Sequence, residues 1–429
     1  MPRADLVELQ LAKLRRVLAW AKDRSPHYRR TLAGVEPEQL RTWADVDRIP
    51  FLTREEWMAS QEAHPPFGEL PVTGAHDAIR LHTTSGTSGR TPLRALDSRK
   101  DWSWSAEMWC YALWGAGVRP HDIAYVAFGY GSFIGFWGLH NGLEKIGALT
   151  IPGGAQSTAQ RVRQIHDFGA TVVASTPTYA LRLAAEPREL GIDLVNGPVR
   201  RVILSGEPAG SIPETKALIE RKWGAAGLRH RRHDRGVDDR HVRAGRAARR
   251  LPRHRGPPPG GGHRPGHRPR GRLRRARRAG LHLVRSVDTP LVRYRTADLV
   301  VKVPGSRTTS GRTFDLYEGG IIGRVDDMKL VRGTNVYPGA IEAIVRGFDG
   351  IEEFQIRISR PGDRDEIELL LEPAATVDDT GWDLLSGRVA AELADSHEGL
   401  RFHVRRAATG ELPRFELKAK RLTDLRPAV

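Results

Sequence analysis

The chain has 429 residues, 39% of them hydrophobic, with a formal net charge of +17. That length allows two or three domains with cores of their own. The single cysteine, Cys110, excludes a disulfide framework or a cysteine-based zinc site within one chain, and no run of about 18 uncharged apolar residues offers a membrane span.

The opening residues Met1-Pro2-Arg3-Ala4-Asp5 lack the apolar core of a secretion signal, so a soluble cytoplasmic protein is expected. The first forty residues read as helix. Val7, Leu11, Leu14, Leu18 and Ala21 recur at helical spacing, and Ser25-Pro26 stops the run. Past the apolar-containing stretch 78–81 comes Thr83-Thr84-Ser85-Gly86-Thr87-Ser88-Gly89, five hydroxyl residues and two glycines. Such residues compete with regular backbone bonding, so neither helix nor strand gains from them. The composition suits a flexible linker or a polyphosphate cradle, in which glycines let backbone N–H groups approach and hydroxyls donate to the outer oxygens. It lacks the Gly-Lys-Ser/Thr ending of the Walker loop. Trp102, Trp104, Trp109 and Trp114 read as core or interface.

From residue 123 short apolar runs alternate with amphipathic helices. Strands are expected over 123–128, 171–174 and 202–204, a helical stripe at Ala159, Val162, Ile165 and Phe168, and a helix over 214–223. That alternation predicts an α/β domain with a largely parallel sheet.

Residues 229–278 interrupt the pattern with 19 arginines, no lysine, three acidic residues, six histidines and no aromatic residue. Nearly all of the net charge sits there, and Val237, Val242, Leu251 and Leu273 are its only aliphatics. So little apolar surface cannot support packing, and the window is expected to be disordered. The lack of lysine and aromatics weighs against a nucleic-acid arm, and irregular histidine spacing weighs against a metal tract. Arg, Pro, Gly, Ala and His are what out-of-frame GC-rich codons yield, so the window reads as frame-shifted, and no nucleic-acid partner is expected. Beyond it, strands are expected over 299–303 and 312–317. A second unit is expected from Gly323, with a helix around Ile341, Ile344 and Val345. Alternating strands through Phe354, Ile356, Ile358 and through Ile367, Leu369, Leu371 follow, then a helix over 382–394 and a strand around Phe402 and Val404. This describes a small α+β domain.

Four further segments follow the hydroxyl run at long intervals. They are Ser205-Gly206-Glu207-Pro208, Tyr294-Arg295-Thr296-Ala297-Asp298-Leu299, Gly323-Arg324-Val325-Asp326-Asp327 and Pro413-Arg414-Phe415-Glu416-Leu417-Lys418-Ala419-Lys420-Arg421. Singly each has a plainer reading, such as a capped turn at Asp298 or a surface ion pair at Arg324. In this order they resemble the adenylate-forming (acyl-CoA synthetase) superfamily. Stretches 14–29, 130–152, 175–179 and 332–338 narrow the resemblance to its phenylacetate–CoA ligase branch, and it covers nearly everything outside the basic window.

The resemblance implies an α/β fold with a large N-terminal domain of mostly parallel sheets over 1–322 and a small mobile α+β lid over 323–429. It implies an ATP-dependent, AMP-forming acid–CoA ligase. A carboxylate attacks the α-phosphate of ATP to give acyl-AMP and pyrophosphate, and the thiol of CoA then takes the acyl group, with Mg²⁺ accompanying the nucleotide. A carrier-protein thiol as acceptor and an inactive scaffold with a basic nucleic-acid-binding segment stand as rivals, and a homodimer is admitted. Thr83, Thr84, Ser85, Gly86, Thr87, Ser88 and Gly89 would hold the β- and γ-phosphates. Gly206, Glu207 and Pro208 would lie along the adenine, Asp298 would accept from the ribose hydroxyls, and Arg324 would contact the ribose or phosphate side. Lys418 is the expected catalytic residue, its ammonium reaching the α-phosphate, with Lys420 its rival on sequence alone. Asp326 is the implied hinge, and Arg332, Gly333 and Asn335 the implied CoA side.

Tyr130, Phe133 and Phe136, with Phe128 and Trp137, fall where relatives line the acyl pocket. Ile134 and Phe136 stand where relatives commonly carry Thr and Gly, so a fuller pocket and a small or flat aryl acid are expected. Between Trp223 and Leu281 the resemblance calls for a Tyr-Gly-x-x-Glu-like motif that stacks on adenine and helps hold magnesium. It is absent, so no magnesium ligand is carried over, and poor folding and little activity are expected of the chain as it stands. Smaller departures are Ala297, where relatives have Gly, and Leu417, where many have Gly.

Overall fold

The computed structural model describes residues 2–84, 92–186, 190–229, 277–281, 288–305, 315–415 and 419–427. They form two compact units, one drawn from the described residues of 1–242, 277–327 and 414–420, the other from those of 328–413 and 421–429. Among the described residues no helix is long and apolar enough to cross a membrane.

The first unit opens with α1 (Arg3–Arg24), whose Leu6, Leu11, Leu14, Val17, Leu18 and Ala21 are buried along one face. Each fully buried leucine contributes up to about 2 kcal/mol. Ser25 ends the helix and caps α2 (Pro26–Thr31), its hydroxyl accepting from the Tyr28 N–H. A capping box between Thr53 and Glu56 starts α3 (Arg54–Ala63). These helices share a core with Leu291, Val292 and Tyr294. The Tyr28 hydroxyl donates to Pro290 O at 2.7 Å and accepts from Val292 N at 3.1 Å, so the amino-terminal helices brace the strand that begins at Tyr294.

Next come β1 (Ala78–Thr83) and β2 (Arg94–Ser98), an antiparallel hairpin, and α4 (Arg99–Gly115), capped by Ser98. A βα series follows: β3 (Ile123–Val126), α5 (Ile134–Ile146), β4 (Leu149–Pro152), α6 (Thr158–Asp167), β5 (Val172–Ser175), α7 (Pro177–Ala185), β6 (Arg201–Leu204), α8 (Pro213–Trp223) and β7 (Ala226–Arg229). The five strands form one parallel sheet in the order β4-β3-β5-β6-β7. Its central strands are buried on both faces, which explains their unbroken apolar runs. Ala124, Val126, Val172, Ala174 and Ile203 pack with α4 and α5, while Tyr125, Val173, Val202 and Leu204 pack with α6, α7 and α8. Alternate residues thus serve opposite layers.

Among the described residues of this unit two antiparallel sheets accompany the parallel one: the β1–β2 hairpin and the sheet of β8 (Arg277–Leu281), β9 (Tyr294–Val303) and β10 (Leu316–Arg324). Residues 230–276 of the basic window lie outside the described residues, but at its edges, where disorder was expected, Arg229 ends β7 and Arg277 and Arg278 pair with β9. A ladder is made by backbone groups and needs no apolar side chains to form. Phe168, expected on the apolar stripe of α6, is its C-cap residue and 50% exposed. Of the four tryptophans, Trp102 and Trp109 are buried and Trp104 and Trp114 exposed.

The second unit holds the β11 (Lys329–Val331) and β12 (Thr334–Val336) hairpin, α9 (Pro338–Val345), β13 (Ile351–Ser359), β14 (Glu366–Pro373), α10 (Asp379–Ser396), β15 (His403–Arg406) and β16 (Leu422–Asp424). Its four-stranded sheet runs β15-β14-β13-β16, antiparallel at the centre and parallel at both outer pairs. Ile341, Val345, Ile356, Ile358, Leu369, Leu371, Val389 and Leu393 fill the core. Below them Glu353 is buried between Arg346, at 3.2 Å, and Arg421, at 2.8 Å. Burial pushes the Glu353 carboxyl up, but Arg421 and Arg346 outweigh it and hold the group below the usual carboxylate value.

Candidate active site

Strand order locates a crevice before any side chain is considered. From β3 the chain leaves toward β4, and from β5 it leaves toward β6, although β3 and β5 are neighbours. Their carboxyl-terminal loops therefore diverge, which is where open parallel sheets receive ligands.

The loop after β3 is fastened to the hydroxyl run. Thr83 N donates to Ser132 O at 2.9 Å, and the hydroxyls of Thr83 and Ser132 lie 2.6 Å apart. Thr84 N donates to Leu93 O and Leu93 N donates to Thr84 Oγ1, both at 3.0 Å, closing the base of the hairpin connection. Thr83 and Thr84 are thus placed at the foot of the run, while Ser85, Gly86, Thr87, Ser88 and Gly89 lie outside the described residues.

After β6 the backbone turns at Gly206, whose φ of +97° favours glycine. Glu207 is buried and its Oε2 accepts from the Thr178 hydroxyl at 2.7 Å. The Glu207 carboxylate is therefore turned inward, onto the first turn of α7, which Thr176 caps through Tyr179 N. The short turn Pro208–Ser211 packs against α7, α8, β7 and β10.

At its far end β10 pairs Arg324 with Asp298 across the β9 ladder, after register shifts around Ile321. Arg324 Nε lies 4.0 Å from Asp298 Oδ1, and Asp298 is 8% exposed. Just before it, Ala297 has φ +60°, and Asp298 N donates to Thr296 Oγ1 at 3.2 Å. The turn that follows Gly206 thus packs on β10, the same strand whose last residue meets Asp298. Asp326 is the middle residue of the turn Val325–Asp327, which β9 packs against.

On the other side of the crevice, Phe136 is 6% exposed, stacks on Phe128 and meets the ring of Phe133 edge-on. Tyr130 is edge-on to Trp137, and its hydroxyl lies 2.9 Å from His140 Nδ1. His140 Nε2 is in turn 3.0 Å from Glu144 Oε1. Burial pushes the Tyr130 phenol well above its ordinary value. Gly154 lies against the same ring, since a Cβ there would come within 3.2 Å of it.

In the second unit, Arg332 (φ +50°) and Gly333 (φ +81°) make the two-residue turn between β11 and β12, the geometry that suits a tight hairpin. Arg332 Nε donates to Asp365 O at 2.6 Å, and Asn335 pairs with Leu330 in the ladder. Lys418 lies outside the described residues, and Lys420 is exposed. In the first unit, three residues around the crevice had not been singled out: Ser132, Thr178 and Arg161 of α6. Thr178 sits in the stretch 175–179 that narrowed the resemblance, but nothing in its type marks it as the partner of Glu207.

The family model described as AMP-binding enzyme C-terminal domain matches residues 333–426. Over 99% of its length the chain is 30% identical to the phenylacetate-coenzyme A ligase of Thermus thermophilus, covering 98% of that protein. It is 30% identical over 98% of its length to the Pseudomonas putida phenylacetate-coenzyme A ligase, covering 94% of it. Among solved structures it is similar to 2-hydroxyisobutyryl-CoA ligase in complex with 2-HIB-AMP in the postadenylation state. There the TM-score is 0.84 and the identity 26%, over 99% of this chain and 90% of that one.

Proposed function

The chain belongs to the phenylacetate–CoA ligase family, and from that membership we propose how its residues divide the work of an ATP-dependent acid–CoA ligase. The enzyme activates a carboxylic acid as acyl-AMP and passes the acyl group to CoA. The physical difficulty is bringing an anionic carboxylate onto an anionic phosphate, which requires fixed donors and positive charge in place before reaction.

The described residues fit a nucleotide. Gly206 offers a turn without a side chain, and an aspartate and an arginine meet 4.0 Å apart across β9 and β10. In this reading Asp298 accepts from the ribose hydroxyls, and Arg324 faces the ribose or phosphate side. The backbone of Gly206, Glu207 and Pro208 runs along the adenine, with the buried Glu207–Thr178 bond stiffening the turn from behind. Thr83 and Thr84 anchor the run whose remaining hydroxyls and N–H groups face the outer phosphates. Lys418 neutralises charge at the α-phosphate, Asp326 is the hinge, and Arg332, Gly333 and Asn335 serve the CoA side. Tyr130, Phe133 and Phe136 support an aryl acid as substrate, since flat rings pack well against aromatic edges and faces. ATP and CoA as co-substrates argue for a cytoplasmic setting. Among the described residues no cluster of three or more His, Cys, Asp or Glu side chains forms, and magnesium, which the nucleotide brings with it, is assigned no protein ligand.

The observation that carries this reading is the meeting of Asp298 and Arg324 in register across β9 and β10, the latter being a strand on which the turn Pro208–Ser211 packs. Acid-dependent ATP–pyrophosphate exchange tests it. Exchange with an aryl acid should fall by about 100-fold or more in Asp298→Ala, because a bidentate contact to the nucleotide is lost. Exchange unaffected by that change would remove the nucleotide from this place.

A further inference from the structure

Arg161, on α6, is 6% exposed, and among the described residues no carboxylate pairs with it. Its Nε donates to Gly153 O at 2.8 Å, its Nη2 to Gly154 O at 2.6 Å and its Nη1 to the Tyr179 hydroxyl at 2.6 Å. The guanidinium also lies 5.0 Å from the centre of the Tyr179 ring. Burying a guanidinium costs several kcal/mol of desolvation, which only well-placed acceptors offset. Here the acceptors come from two separate walls of the crevice.

One wall is Gly153-Gly154, directly after β4. A Cβ at Gly153 would come within 2.5 Å of Tyr125 and one at Gly154 within 3.2 Å of Tyr130, so this backbone is set tightly against its neighbours. The other wall is the first turn of α7. Tyr179 also meets Thr158 Oγ1 at 3.2 Å, and the adjacent Thr178 holds Glu207 at 2.7 Å.

We propose that Arg161 is a positioning residue, a clamp that registers the Gly154–Tyr130 wall with the Glu207 turn. What the walls hold, acid on one side and nucleotide on the other, rests on the ligase reading above. The clamp acts through Gly154, Tyr179 and Thr178, and touches no substrate itself. If the two walls drift, the carboxylate and the α-phosphate lose alignment, and a misplacement of about 1 Å can cost roughly 100-fold in rate. Lysine cannot substitute, because one ammonium does not span three acceptors that a planar fork reaches together.

The test compares wild type, Arg161→Lys and Tyr179→Phe by amide hydrogen exchange and by acid-dependent ATP–pyrophosphate exchange. Arg161→Lys should speed amide exchange in both 153–157 and 205–209 and raise the KM values for acid and ATP together, by about tenfold. Tyr179→Phe, which keeps the ring and removes one acceptor, should move the same readouts in the same direction by less. It keeps the test open if Arg161→Lys does not fold. Free guanidinium at millimolar concentration should restore part of the loss in Arg161→Ala. Amide exchange that rises at 153–157 while 205–209 stays as in wild type would overturn the clamp, as would a KM change for the acid alone. A wild-type chain without acid-dependent exchange would count against the ligase reading, and the amide measurement would still decide the clamp.

Discussion

Ala297 precedes the candidate ribose-binding Asp298 and stands with φ +60°, in the left-handed region. An L side chain there costs about 1–2 kcal/mol, because Cβ crowds the following carbonyl. Glycine removes that cost but gains freedom in the unfolded chain, which gives back about 0.4–1 kcal/mol. Ala297→Gly should therefore stabilise the first unit by about 0.5–1 kcal/mol, or about 1–2 °C in a thermal melt of a domain this large. Urea unfolding followed by tryptophan fluorescence measures the difference directly, and Arg293→Gly is the control. Arg293 also has positive φ, +47°, but its guanidinium donates to Asp47 O and Ile49 O, pairs with the Asp47 carboxylate and covers Phe51. Losing those contacts should outweigh any backbone relief and destabilise by about 1–3 kcal/mol. If Ala297→Gly is neutral or destabilising, the backbone at that position is not strained in solution and the reasoning fails.

Thr178→Val keeps the shape of the side chain and removes a donor to the buried Glu207 carboxylate. It should cost about 1–3 kcal/mol in urea unfolding and raise the KM for ATP more than that for the acid. Glu353→Gln removes the carboxylate that Arg346 and Arg421 share in the core of the second unit, and an unfolding free energy lower by about 3–5 kcal/mol is expected there. Asp424 is held at about 2, first by hydrogen bonds from Arg426, against the opposing effect of burial. Because its folded value is depressed, the stability it adds is present above about pH 4 and is lost as pH falls through about 2. Acid unfolding of Asp424→Asn should be shallower than wild type across that window, and identical profiles would show that the Arg426 pair does not persist in solution.

What was legible in the sequence was what local periodicity encodes. The stripe Leu11, Leu14, Leu18 and Ala21 is buried in α1 as its spacing requires, and the unbroken run Val172-Val173-Ala174 marks a strand covered on both faces. Motif order singled out Asp298 and Arg324, but their meeting belongs to the β9–β10 register, which pairs residues 26 apart and leaves no local trace. The inward turn of Glu207 was equally hidden, because a Gly-Glu-Pro turn reads the same whichever way its carboxylate points. Composition misled at Arg277 and Arg278, which join the β9 ladder. For Arg161 the neighbours Val162 and Ile165 gave the signal of an amphipathic helix, and an arginine beside them reads as the solvent face.

The burial of Arg161 follows from the same strand order that opens the crevice. A crevice at the divergence of β3 and β5 has no backbone ladder across its mouth, since the loops that form it run apart. The connection from β4 to β5 must cross β3, and α6 is that connection. Of the unit's helices it alone lies in the chain between the end of β4 and the start of β5, so its side chains reach both sides of the gap. Arg161 makes that reach, to Gly153 and Gly154 behind it in sequence and to Tyr179 ahead. A topology that creates a ligand crevice by separating two loops thus also supplies the one helix able to tie them, and a buried cation with a planar fork suits the tie because it binds carbonyl and hydroxyl oxygens at once.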